Sequence, residues 1–259
     1  MDLRRRTIFH YLLLGNSQLA TGAGGSSGLA EFIGNDFIVT MGNWGFTTAS
    51  GTPLNKLINM QASTIMHELG HNLGLNHGGN EVTNYKPNYW SIMNYMYQLN
   101  GLDPEPKAST AYQRWKKEKV DGIPTVCNLA GSPCGDKSLF VMSYSDGTSG
   151  PLNEASLLES NNIGRGSNAG AYADWDLSGS MNASALSRNL NGDLVNSVLN
   201  DYDDWGHLVL PFSRQPSGNS GTSRFSMPSP MLNLVSDDRQ EVAIETAPSA
   251  EFFNELRNR

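Results

Sequence analysis

The sequence predicts an α+β protein, with short strands and one long helix in the first hundred residues and an irregular second half. Two runs, Ile8–Leu14 and Asp36–Met41, are rich in branched and aromatic residues and are bounded by Gly, Asn and Ser, a pattern typical of strands. Between about Pro53 and Leu73 the apolar residues recur at helical spacing, and Gly74 follows as a stop signal. Of the 259 residues 27 are glycine, which favours a loop-rich fold over a helical bundle.

The predicted helix has a clear beginning. Thr52 can cap its first turn, and Pro53 fits the first helical position, where no backbone N–H is needed. Its apolar residues are Leu54, Leu57, Ile58, Ala62, Ile65, Met66, Leu69 and Leu73. Further along the chain, a short helix is expected near Asn153–Glu159.

Composition divides the chain near residue 212, where a stretch rich in Ser, Gly and Pro begins. We expect one domain over residues 1–212, with an upper half at 1–77 and a lower half at 78–212. A linker and a C-terminal tail are expected at 213–259.

Charge and hydropathy exclude two classes of partner. With 18 basic and 25 acidic residues the net charge is −7, which argues against a nucleic-acid-binding surface. No apolar run reaches the roughly 18 residues that a membrane-spanning helix needs. We expect a monomer that acts on another protein or a peptide, for the reasons that follow.

Three of the five histidines fall in one short segment, His67-Glu68-Leu69-Gly70-His71-Asn72-Leu73-Gly74-Leu75-Asn76-His77. His67 and His71 are four residues apart on the predicted helix, so their imidazoles leave the same face and can take adjacent vertices of a zinc tetrahedron. Gly74 lets the chain turn sharply, and His77 can return as a third ligand. Three protein ligands leave a fourth position open to water, as in a catalytic site, and Glu68 is placed to act as a general base.

This segment and the later Ser91-Ile92-Met93-Asn94-Tyr95 together resemble the metzincin clan of zinc endopeptidases, whose signature is H-E-x-x-H-x-x-G-x-x-H followed by a methionine turn. The resemblance implies a twisted, mostly parallel sheet with an antiparallel edge strand and the zinc helix in the upper half, and an irregular lower half with short helices. It also implies that Met93 forms an apolar floor beneath the imidazoles.

The resemblance gives Tyr95 and one strand a role as well. S-x-M-x-Y is the astacin-like and serralysin-like pattern, in which the phenol ligates the resting metal and then stabilises the tetrahedral intermediate; a buried tyrosine with a local hydrogen bond is the alternative. Metzincins pair an extended substrate with an antiparallel edge strand. The last strand before the zinc helix is the natural candidate, and an interior strand is the alternative. Its residues are Phe37, Ile38, Val39 and Thr40.

These features predict a secreted, zinc-dependent endopeptidase. One alternative is a binding module, stabilised by zinc or calcium, that has lost turnover; the intact Glu68 and Tyr95 speak against it. The other is a zinc hydrolase of a non-peptide amide. The extension of the motif to His77, together with Met93, favours peptide cleavage over that alternative.

A second metal site is suggested by an acidic segment in the lower half. Asp174, Asp176 and Ser178 place oxygen atoms at alternate positions, as in the first half of a calcium loop, and Asp193 can add another. Ala185 stands where such a loop has its bidentate glutamate. The same residue types also form turns, so calcium binding and plain turn formation both stay open.

The two cysteines bear on the cellular location. Cys127 and Cys134 lie in a loose segment of Gly, Pro and Asn, where a local disulfide in an oxidising compartment is the favoured interpretation and two free thiols in a cytosolic protein are the alternative. Few charged residues, 17%, and many Asn, Ser and Gly are common in secreted bacterial proteins. We therefore expect an extracellular bacterial protein whose export signal is not in this chain.

Overall fold

A computed structural model describes residues 9–46, 51–99, 101–102, 140–160, 175–176, 178, 180–209 and 242–243. These residues form a small sheet with a long helix packed on it, above a lower part of turns, paired short strands and two short helices. The architecture is mixed α/β, as predicted. Within the described ranges, no helix has both the length and the apolar character needed to cross a lipid bilayer.

The upper sheet has the strand order β1-β3-β2-β6. β1 (Tyr11–Leu14) and β3 (Asp36–Val39) run parallel, whereas β2 (Gly28–Glu31) runs antiparallel to β3. β6 (Val242–Ala243) pairs antiparallel with the last two residues of β2, so a short piece of the predicted tail joins this sheet. β1, β3 and β6 therefore point one way and β2 the other, and the reversed strand is flanked on both sides.

The long helix, α1 (Gly51–Asn72), covers the predicted helical segment and packs against β2 and β3. Alternate residues of β3 face it, because successive side chains of a strand point to opposite faces. Phe37 and Val39 are buried in this way and share an apolar cluster with Met60 of α1 and with Trp44. The core of the upper part thus lies between one face of the sheet and one face of α1.

The lower part has its own core. Its elements are α2 (Tyr95–Gln98), β4 (Leu152–Asn153), β5 (Val198–Leu199) and α3 (Asp204–His207), with β4 and β5 paired antiparallel. Its buried apolar residues are Trp90, Met96, Tyr97, Leu102, Leu152, Leu157, Trp175, Leu190 and Leu199. This cluster is separate from the one beneath the sheet.

The short helix expected near residues 153–159 is not formed; the chain turns there instead. Two glutamates explain the difference, because both are fully buried and accept hydrogen bonds from backbone N–H groups of other loops. Glu154 accepts from the N–H groups of Leu190, Asn191 and Ser197. Glu159 accepts from those of Trp175 and Asn182. The segment folds around these long-range contacts, which a local pattern does not reveal.

Candidate metal centre

α1 ends in a Schellman motif that fixes the chain after the second histidine. Gly74 has a φ of +90°, in the left-handed region that favours glycine. Its N–H donates to the carbonyl of His71 at 3.0 Å, and the N–H of Leu75 donates to the carbonyl of Gly70 at 2.9 Å. Leu75 is turned back beneath the helix and buried, where its carbonyl accepts a hydrogen bond from Nδ1 of His71 at 2.7 Å. The glycine of the motif is therefore the cap that makes the turn.

Three imidazoles converge at this end of α1. The ligand atoms of His67, His71 and His77 all lie within 4.8 Å of one another. The first two are buried and the third is half-buried. In the part of the chain that the structure describes, this is the one group of three or more His, Cys, Asp or Glu side chains close enough to hold a metal ion.

The hydrogen bonds of the first two histidines set their protonation. Nδ1 of His67 lies 2.8 Å from the carbonyl oxygen of Ile92, and Nδ1 of His71 faces the carbonyl of Leu75. A carbonyl only accepts, so both Nδ1 atoms carry hydrogen and both Nε2 atoms of the neutral rings present lone pairs. The two Nε2 atoms are 3.2 Å apart, close to the separation of about 3.3 Å for two nitrogens on one tetrahedral zinc ion. The donor set therefore fits Zn²⁺.

His77 lies in a compact turn. Asn76 and Gly79 close the turn with reciprocal backbone hydrogen bonds of 2.7 and 3.0 Å. The side chain of Lys86, 1% exposed, donates to the carbonyl of Gly78 at 2.8 Å and to a backbone carbonyl of the lower part at 2.7 Å. A buried lysine thus ties the turn that carries the third histidine to the lower part.

Glu68 is fully buried on the side of α1 that faces the sheet. A β-carbon built on Gly28 would lie 2.1 Å from Oε1 and 2.5 Å from Cδ of Glu68. The carboxylate therefore sits directly over the backbone of β2, and only glycine leaves it room there. This contact joins the predicted general base to the sheet.

The methionine turn packs against α1 at Gly70. A β-carbon on Gly70 would lie 2.3 Å from Sδ of Met93, so the sulfur rests against the helix backbone between His67 and His71. Met93 is fully buried in a cluster with Leu75, Tyr89, Ile92 and Tyr144. Met93 thus contacts the helix between the two histidines, and its role as a floor beneath the imidazoles stays a prediction.

Tyr95 stands at the start of α2, beside the third histidine. Its ring centroid lies 4.4 Å from that of His77 and 5.8 Å from that of His67. The ring is half-buried, and the backbone N–H donates to the side chain of Asn84 at 3.0 Å. The phenol thus belongs to the histidine group in space, and its part in catalysis stays a prediction.

The predicted edge strand is not an edge. Phe37, Ile38, Val39 and Thr40 were expected there, but β3 pairs with β1 on one side and with β2 on the other. The antiparallel strand is β2, which the sequence did not predict, because Gly28-Leu29-Ala30 lacks the branched and aromatic residues that favour strands. β2 is also the strand that touches Glu68.

The acidic segment of the lower half forms turns. Oδ1 of Asp176 accepts from the N–H of Ser178 at 3.0 Å, and Oδ1 of Asp193 accepts from the N–H of Val195 at 2.9 Å. Asp174 lies outside the described residues, as do Cys127 and Cys134. Calcium binding and the disulfide both stay predictions.

Two residues near the centre escaped the sequence analysis. Gly28 lies against Glu68 and Asp204 binds Ser91 of the methionine turn, and both come from segments with no recognisable motif. A glycine opening a short strand carries no marker of its own, and an aspartate in an Asp-rich run resembles a turn former. Only the tertiary contacts distinguish them.

Comparison with known proteins gives one positive finding. The sequence model of the family described as metallo-peptidase family M12B, reprolysin-like, matches residues 6–78, a stretch that contains α1 and all three histidines. No curated protein and no solved structure matches the chain significantly. The match and the histidine group confirm the resemblance to metzincin metallopeptidases and support a zinc endopeptidase in general.

Proposed function

We propose, from the reprolysin-like metallopeptidase match over residues 6–78, that this protein is a secreted zinc endopeptidase in which Glu68 is the general base. The observation that carries the proposal is the convergence of three histidines with a buried carboxylate. Glu68 follows His67 directly in α1 and lies between the helix and β2. A carboxylate beside a three-histidine zinc site is the arrangement that activates water.

Each residue has a defined part in the proposed reaction. Zinc held by the three histidines supplies Lewis-acid chemistry, polarising the scissile carbonyl and lowering the pKa of water. Glu68 accepts a proton from the attacking water as the water oxygen bonds to the scissile carbonyl carbon. It then delivers that proton to the leaving amine as the C–N bond breaks. The phenol of Tyr95 donates a hydrogen bond to the developing oxyanion.

We place the substrate along β2 rather than β3. Gly28 of β2 lies against Glu68, so a peptide extended along this strand passes the base. On the side of β2 away from β3, β6 pairs with Ala30 and Glu31 only, so the peptide is placed at the Gly28–Leu29 end of that side, which β6 does not cover. Backbone pairing of this kind binds extended peptides without reading much of their sequence.

Extracellular, bacterial origin is part of the same proposal. It is supported by the low content of charged residues, 17%, and by the spacing of Cys127 and Cys134 in a Gly- and Pro-rich segment. Peptide mapping of the protein isolated from its source, with thiols blocked during extraction, tests the oxidising compartment: a Cys127–Cys134 disulfide is expected, and two free thiols would argue for a reducing compartment.

The function is tested by the cleavage of denatured casein. The protein and its Glu68→Gln variant are compared at equal zinc content, measured by atomic absorption. Glutamine keeps the size of the side chain but accepts no proton, so we expect kcat/KM to fall at least about 100-fold. Asp146→Asn, which neutralises an exposed carboxylate in the lower part, serves as the control and is expected to keep full activity.

Each outcome separates the alternatives. Zinc-loaded Glu68→Gln protein that cleaves at the wild-type rate overturns the assigned base. Wild-type protein that binds zinc but cleaves neither casein nor small acylated amides is a binding module. Cleavage of the small amides alone identifies a hydrolase of non-peptide substrates.

A further inference from the structure

A buried carboxylate is hydrogen-bonded to the methionine turn. Asp204, at the start of α3, is 0% exposed. Its oxygens accept hydrogen bonds from Tyr89 Oη at 2.8 Å, from Ser91 Oγ at 2.6 Å and from the N–H of Ser145 at 3.0 Å. One side chain thus collects three donors from two segments that both border the metal centre.

The bond to Ser91 orients the turn. A serine hydroxyl has one hydrogen, and here it points to Asp204, so the oxygen is left to accept. It accepts from the N–H of Met93 at 3.2 Å. Asp204 therefore fixes the hydroxyl of Ser91, which spans Ile92 by accepting the N–H of Met93.

The bond to Ser145 leads to the peptide group on the other side of Ile92. Ser145 lies two residues after Ser143, whose carbonyl accepts the N–H of Ile92 at 2.9 Å. The carbonyl of Ile92 in turn accepts Nδ1–H of His67 at 2.8 Å. Asp204 therefore acts on both sides of Ile92. It binds Ser91 directly, and it binds Ser145, which lies two residues from the carbonyl that accepts the N–H of Ile92.

We propose that Asp204 is a positioning residue for the metal ligand His67, acting through Ser91 and the carbonyl of Ile92. Its side-chain hydrogen bonds go to Tyr89, Ser91 and Ser145 and not to a histidine, and its full burial keeps it away from a substrate. By holding the Ile92 carbonyl in place, it keeps the His67 ring in one orientation and keeps Nε2 as the atom with the lone pair. Outer groups that orient metal-ligating histidines typically change metal affinity by about 10- to 100-fold when removed.

The inference rests on the proposed zinc site, and its test reads metal binding directly. The zinc dissociation constant is measured by competition with a chromophoric chelator, at a temperature well below the unfolding transition of every variant. The proteins are wild type, Asp204→Asn, Ser91→Ala and the double variant. Asparagine retains the shape but brings an N–H₂ group toward the hydroxyl donors, and alanine at 91 removes the relay while sparing the carboxylate.

Glu159→Gln is the matched control. Glu159 is an equally buried carboxylate of the lower part, and it binds the backbone N–H groups of Trp175 and Asn182 instead of the methionine turn. We expect this variant to lose stability and to keep the wild-type zinc affinity. Asp204→Asn and Ser91→Ala are expected to weaken zinc binding by about tenfold or more. They should also shift the visible absorption bands of the cobalt-substituted protein.

The double variant decides the route. If Asp204 acts through Ser91, the double variant weakens zinc binding no more than Asp204→Asn alone does. Wild-type zinc affinity and an unchanged cobalt spectrum in both single variants would reduce Asp204 to a stabilising residue and overturn the inference. Equal weakening by Glu159→Gln would overturn it too. Absence of zinc binding by the wild type would instead refute the proposed function.

Discussion

Replacement of Gly28 by alanine separates catalysis from metal binding. The added β-carbon would lie 2.1 Å from Oε1, 2.5 Å from Cδ and 2.7 Å from Cγ of Glu68. To reach an ordinary contact of 3.4 Å, Oε1 must retreat by about 1.3 Å. The clash falls on a side chain and not on backbone, so the fold can absorb it by moving the base.

A displacement of about 1 Å of a catalytic group costs roughly 100-fold in rate. We therefore expect kcat/KM for casein to fall about 100-fold in Gly28→Ala, equivalent to about 2.7 kcal/mol of transition-state stabilisation. The free energy of unfolding should fall by about 1–3 kcal/mol, the usual cost of overpacking a buried site, which leaves the protein folded under the conditions of the assay. Zinc content should be unchanged, because the three atoms nearest to the added β-carbon all belong to Glu68 and none to a histidine.

Cleavage of casein, urea unfolding and zinc content are measured on the same preparations. Gly150→Ala is the control, since a β-carbon there meets nothing within 4 Å, and it should match the wild type throughout. Full activity in Gly28→Ala would refute the placement of Glu68 against β2. Loss of zinc together with activity would show that the substitution disrupts the centre as a whole and does not act on the base.

Two further predictions concern the buried charges. Burial raises the pKa of Asp204 to about 6 from its ordinary 3.8, with Asp201 raising it further and the hydroxyl of Tyr89 opposing the rise. Asp204 therefore stabilises the fold fully below about pH 4. This stabilisation falls by about 3 kcal/mol as the pH rises from about 4 through 6. Urea unfolding of wild type and Asp204→Asn from pH 3.5 to 7.5 should show their difference in stability shrinking with pH; a difference that grows would contradict it. Lys86→Met leaves the carbonyl of Gly78 without its donor, so it should lower the free energy of unfolding by about 2–4 kcal/mol and weaken zinc binding. Unchanged zinc affinity would show that the turn carrying the third histidine needs no anchor.

The parts of the centre that the sequence reveals are those set by local geometry. A spacing of four residues puts His67 and His71 on one helix face wherever the helix lies, and a glycine three residues after His71 makes the turn toward His77. Met93 was recognised by its place in a motif. These features need no knowledge of the rest of the chain.

The parts that the sequence conceals are set by distant partners. β2 is a strand because β3 and β6 pair with it, although its own residues favour strands weakly. Glu154 and Glu159 look like surface residues of a helix, yet each is buried by loops that bind its carboxylate. Asp204 is one of several aspartates in its segment, and only its contact with Ser91 sets it apart.

Asp204 and Ser91 are 113 residues apart in the sequence, so their hydrogen bond can form only late in the synthesis of the chain. At typical rates of synthesis of about 5–20 residues per second, roughly 5–25 s pass between the emergence of the two residues from the ribosome. During that interval the zinc helix and its histidines are already made, but the turn beneath them lacks its brace. The hydrogen bonds that hold this turn in place can therefore form only after residue 204 has been synthesised.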